Sequence, residues 1–122
     1  MCSDKTLDPA ILVQFTGSEA FYQYGLKGEM LFTDGVKYVA DTAGAYWLLD
    51  EITLAQRFKR EVAAEEFQLW VLSVAEDHTA VLSCDDGNGR IVHSKQILYT
   101  DFPAAGIKLY VCNGVIMLPS EY

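Results

Sequence analysis

The chain has 122 residues, of which 51% are hydrophobic, 12% aromatic and 21% charged, a globular composition that excludes a disordered or fibrous protein. That length suits one domain over residues 1–122 with a single core that needs no disulfide or metal staple. Nine Lys and Arg stand against seventeen Asp and Glu, a formal net charge of −8, so a phosphate backbone would meet net repulsion and direct nucleic-acid binding is not expected.

Cys2, Cys84 and Cys112 are odd in number and widely spaced, without a CxxC or Cys/His repeat. Free thiols in a reducing cytoplasm are therefore expected, rather than a zinc site or a disulfide frame. The opening MCSDKTLDPAILVQF places acidic residues where a signal peptide needs basic ones, and its longest apolar run, residues 10–13, is too short for a membrane span.

In chain order, Asp8-Pro9 reads as a helix cap and first turn, and residues 10–15 as a short turn of helix. Thr16-Gly17-Ser18-Glu19 has capping-box spacing, which predicts a second short helix over residues 18–24, stopped by Gly25. Residues 30–33 and 36–40 are β-prone runs separated by Asp34-Gly35, a pair favoured in type I′ hairpin turns. Asp41 or Thr42 then caps a long helix reaching residue 60. On it Leu48, Ile52, Ala55 and Phe58 form the core stripe, broadened by Trp47 and Leu54. Asp50, Thr53, Arg57 and Arg60 hold the opposite face. Residues 67–75, 79–85 and 90–100 read as an antiparallel meander, and residues 107–112 and 115–118 as a hairpin around Asn113-Gly114.

These elements predict an α+β fold: an antiparallel, curved sheet of about six to seven strands, with one long helix over residues 42–60 packed on it and a short N-terminal helical segment. Strand 67–75 is apolar on both faces, with Phe67, Leu69 and Val71 on one and Trp70, Leu72 and Val74 on the other. One helix does not cover both sides of such a sheet. A symmetric homodimer is therefore expected, through the face of Trp70, Leu72 and Val74 or its opposite, or through the edge of the C-terminal hairpin.

Candidate chemistry is sparse. Cys84 and His93 face each other across their hairpin if its turn centres on Asn88-Gly89, and a Cys/His pair can generate a thiolate. A loop centred one residue earlier pairs Cys84 with Ile91 instead, so the dyad hangs on register. Asp77, Asp85, Asp86 and Asn88 offer oxygen ligands in two loops, but CDDGNG lacks the order of a calcium loop, and tight turns need the same residues. Tyr22, Tyr24, Tyr46 and Trp47 concentrate near the helix starts, where aromatics mostly serve the core and otherwise anchor interfaces. No cofactor, metal or catalytic residue is expected.

The segments FTGSEAFYQYG, LFTDGVKYVADTAGAYWLLDEI, EEFQLWVL, LYTDFP and IKLYVCNGVIMLPSEY resemble those of a family of small bacterial proteins of unknown function, over about residues 15–122. TDGVKY, AYWLLD, TDFP and LPSEY carry the likeness. The resemblance implies a complete family domain, encoded often near plasmid or phage genes, and brings no activity or site residue with it. The expected function is that of a non-enzymatic protein-interaction module of a bacterial accessory or mobile-element gene. The alternatives are a small-molecule-binding or hydrolytic protein with a pocket between helix and sheet, and an acidic nucleic-acid mimic.

Overall fold

Alternation of burial along the strands shows which side of the sheet is covered. In β3 (Phe67–Val74) Gln68, Trp70 and Leu72 are buried, while Phe67, Leu69 and Val71 are only half-buried. Their cross-strand neighbours keep the same division, with Leu82 and Cys84 of β4 (Ala80–Asp85) and Leu109 and Val111 of β6 (Ile107–Cys112) on the covered side.

The computed structural model describes residues 21–24, 30–103 and 106–122. Its other strands are β1 (Phe21–Tyr24), β2 (Met30–Thr33), β5 (Ile91–Ile97) and β7 (Val115–Met117). Three helices, α1 (Asp34–Ala43), α2 (Tyr46–Phe58) and α3 (Arg60–Ala63), lie in sequence between β2 and β3, and a 3₁₀ turn at Pro119–Glu121 follows β7. The seven strands form one sheet in the order β1-β2-β7-β6-β3-β4-β5. Val36, Val39, Leu48, Leu49 and Ile52 of the helices join Trp70, Leu72, Leu82, Leu109 and Ile116 of the sheet in one buried core. Each such large side chain contributes roughly 1.5–3 kcal/mol by leaving water.

The α+β class and the seven strands stand, and so do the β3-β4-β5 meander and the β6-β7 hairpin. Asn113 and Gly114 turn that hairpin with φ of 53° and 77°, the conformation of a type I′ turn.

Several expectations are corrected. The sheet is mixed rather than antiparallel, because β2 runs parallel to β7. Residues 34–40 are not a hairpin arm but the start of α1, and Phe21–Tyr24, expected as the end of a helix, is a strand paired with β2. The predicted helix at residues 10–15, the capping box at 16–19 and the stop at Gly25 lie outside the described residues. The single long helix is three. α1 closes at Gly44, whose left-handed φ of 62° ends the helix and turns the chain into α2.

The buried face of α2 is also rotated from the expected stripe. Leu48, Leu49, Ile52, Thr53 and Ala55 face inward, while Leu54 and Phe58 are 48% and 69% exposed. Starting the helix at Tyr46, after the break at Gly44, resets its phase relative to the sheet.

The start of α1 explains the failed hairpin. Thr33 Oγ1 caps the helix by accepting from Val36 N at 3.3 Å. The Glu121 carboxylate then accepts from Thr33 Oγ1 at 2.6 Å, from Gly35 N at 3.2 Å and from Leu118 N at 2.9 Å. A carboxylate near the chain's C-terminal end thus satisfies donors at a helix N-terminus, where the helix dipole also favours negative charge. Gly35 is small because that latch lies against it: a Cβ there would stand 2.6 Å from Leu118 Cδ1 and 2.8 Å from Glu121 Oε1.

Candidate functional site

With β7 held between β6 and β2, the C-terminal hairpin offers no free edge, and the sheet ends at β1 and β5. Among the described residues β5 is bonded only to β4, which leaves the outer row of its amides and carbonyls without a described strand partner along seven residues, roughly 23 Å. Beside it, α2 and β5 enclose a cleft of about 410 Å³. Leu54, Ala55, Phe58 and Lys59 form one wall; His93, Ser94 and Lys95 form the other, and Glu51 closes one end by accepting from Lys95 Nζ at 2.7 Å.

Exposed apolar side chains gather at this edge. Among the described residues, eight large ones are exposed, and six of them, Leu54, Phe58, Val81, Ile91, Leu98 and Tyr99, lie on β5, directly after it or on its neighbours α2 and β4. Leu98 and Tyr99 are 88% and 68% exposed.

The sheet brings Cys84 and His93 together as a cross-strand pair, with a register shift immediately after Cys84 that sets Asp85 opposite Ile91. The register centred on Asn88-Gly89 is therefore the one found at Cys84, the alternative pairing of Cys84 with Ile91 does not occur, and a bulge after Cys84 shifts the ladder towards the loop. The pair's chemistry favours the thiol. Burial, with the nearby charges of Asp85 and Glu65, pushes Cys84 up to about 12, and its Sγ donates to Asp85 O at 3.9 Å. The His93 ring instead packs edge-on to Trp70, centroids 5.9 Å apart.

Trp70 and Leu72 are 1% exposed beneath the helices and Val74 is half-buried, so the first of the two faces considered for a dimer is occupied by this chain's own core. The opposite face, with Phe67, Leu69, Val71 and Tyr110, carries no described helix; there Phe67 and Tyr110 pack on the ring of Tyr122 at centroid distances of 5.3 Å each.

The acidic loops are built as turns. Asp77 accepts from Thr79 N and Oγ1, Asp85 from Gly87 N, and Asp86 from Asn88 N and Arg90 N. Those bonds hold Asp77 and Asp86 below the usual carboxylate range. Among the described residues no three His, Cys, Asp or Glu side chains gather as a cation site. Tyr22 and Tyr46 pack against Phe32 at 5.4 and 6.4 Å and so support the core.

Two polar arrangements had no signature in the residue order. One is the Glu121 latch. The other is a buried network in which Gln68 bonds Gln56 of α2 in both directions, at 2.6 and 2.9 Å, donates to Val62 O and accepts from Trp70 Nε1. It fixes α2 and α3 on β3. A glutamine amid apolar strand residues was the one available hint.

A mixed seven-stranded sheet with helices between β2 and β3 defines a small α+β domain. The sequence profile of DUF6876, a family of unknown function, matches residues 8–122, and the chain belongs to that family. Comparison with curated proteins and with solved structures found no match.

Proposed function

We propose that this protein is a non-enzymatic interaction module of the cytoplasm that binds a protein partner by adding the partner's extended segment to β5. The observation that carries this is the coincidence of an unpaired strand edge with six of the eight exposed large apolar side chains. Strand addition draws affinity from main-chain hydrogen bonds and specificity from neighbouring side-chain pockets; the α2/β5 cleft supplies such a pocket. The free thiols of Cys84 and Cys112 support the reducing compartment. Affinity capture from the native host, with wild type and a Leu98→Asp/Tyr99→Asp variant side by side, tests the reading. A partner held by the wild type and released by the variant is expected; equal capture by both overturns it.

A second reading is a homodimer through the sheet face bearing Phe67, Leu69, Val71 and Tyr110, favoured by the absence of any described helix over that face. Such a contact should bury on the order of 1,000 Å² or more in total. Sedimentation equilibrium at micromolar concentration should then give twice the 13.6 kDa of one chain, reduced to a single mass by Val71→Lys. A single mass for the wild type defeats it.

A further inference from the structure

The geometry points to one class of occupant for the β5 edge: an extended segment that is acidic and carries a large apolar side chain. The inference rests on the strand-addition reading and adds the chemistry of the partner.

Charge carries it. Although the chain has a net charge of −8, and Glu61, Glu65, Asp85 and Asp86 stand at this end beside Arg60 and Arg90, the cleft itself is lined by two lysines, Lys59 and Lys95, and one carboxylate, Glu51. Nearby carboxylates answer only part of them. Glu51 pairs with Lys95 at 2.7 Å, and Glu65 and Asp86 pair with Arg90 at 3.2 and 3.6 Å. Lys59 and Arg60 have no carboxylate partner among the described residues, and Lys59 lines the cleft itself. An incoming segment in the cleft meets a lysine that no described carboxylate answers, which an acidic side chain complements.

Shape supplies the second requirement. Leu54 and Phe58, one helical turn apart on α2, present an exposed apolar pair to the cleft, deep enough at about 410 Å³ for one large side chain from a strand laid along β5. A lysine in an edge strand commonly guards against unwanted pairing, which accounts for Lys95 alone. It does not account for Phe58, Leu54, Leu98 and Tyr99 left in water around it. A second copy of this chain fits poorly, because two-fold pairing of β5 with itself brings both sets of cations together.

The test pans a display library of random short peptides against the full chain and follows amide exchange with the best synthetic binder. Enriched peptides are expected to be acidic overall with a large apolar residue, and to slow exchange along residues 91–97. The exposed substitutions Phe58→Ala and Lys59→Glu/Arg60→Glu, with folding checked by circular dichroism, are each expected to weaken that binder about tenfold. Basic or neutral peptides that still protect β5 overturn the acidic occupant while leaving strand addition standing. No enrichment, or binders that protect no β5 amide, overturn strand addition itself. Dimerisation of the chain alone with β5 protected overturns the proposal in favour of self-pairing.

Discussion

Two regions of the sheet meet the same physical demand in different ways. At the β2–β7 end the orphan donors of α1 are met from within the chain, by a glutamate eighty-six residues from Gly35 in sequence, and the parallel β2–β7 pair seals the strand beside it. At the β5 end the row of amides and carbonyls has no neighbouring strand among the described residues, and apolar side chains that a core would take stay exposed. Under the proposal above, the β2–β7 region, the closed end of this comparison, concerns stability and the open end at β5 concerns recognition, and substitutions should separate the two.

The largest effect is expected at the closed end. Glu121→Ala removes an acceptor of three hydrogen bonds and the charge at the α1 N-terminus, and should destabilise the domain by about 2–3 kcal/mol in urea unfolding. An unchanged midpoint would mean that the latch is incidental. Gly35→Ala should cost about 1–3 kcal/mol, since its methyl group displaces Leu118 or Glu121. Both variants should still bind the partner of β5.

At the open end the order reverses. Phe58→Ala should change stability by only about 0.5 kcal/mol, being 69% exposed, while weakening the β5 binder; a large stability loss with unchanged binding breaks the division between the ends. The openness should also stop at the backbone. Cys84, directly across from His93 of β5, is buried with its thiol pushed up to about 12, so half-buried Cys112 should be alkylated by iodoacetamide at mildly alkaline pH well before it. Rapid labelling of Cys84 would mean that β5 frays from the sheet or that the Cys84/His93 dyad is active.

The smallest effect is expected from Asp41, where Lys37 Nζ at 2.7 Å and Tyr46 Oη at 2.6 Å join α1 to α2. The hydrogen bonds from Lys37 and then Tyr46 hold its carboxyl below the usual range. Its stabilisation is thus present above the unfolded carboxylate pKa and lost as pH falls through the lower folded value. The site is exposed, so Asp41→Asn should cost only a few tenths, about 0.3 kcal/mol, near neutral pH, and the difference should vanish in acid.

The segments on which the resemblance rests take part in these contacts. Thr33 and Gly35 of TDGVKY and Glu121 of LPSEY are two halves of one latch; AYWLLD sets Leu48 and Leu49 in the core; and in TDFP the Thr100 hydroxyl accepts from Phe102 N while Phe102 is buried.

Residue order alone determined the elements whose signals are local and unopposed. Alternating apolar runs made β3, β4 and β5, and Asn113-Gly114 made its hairpin because the turn conformation those residues favour is the one the flanking strands need. Cys84 and His93 could be set opposite each other by counting, but whether that gave a thiolate depended on burial, which counting does not reach. Tertiary structure decided the rest. Asp34-Gly35 has nearly the same local preference as Asn113-Gly114, yet a distant carboxylate that accepts from Thr33 and Gly35 turned it into a helix start. The break at Gly44 rotated α2 and left Leu54 and Phe58 outside, and the insertion of β7 beside β2 took the C-terminal hairpin off the sheet's edge and left β1 and β5 as its end strands. Each of these outcomes depends on a partner far away along the chain, and a periodicity or a turn signal carries no information about a partner beyond its own window.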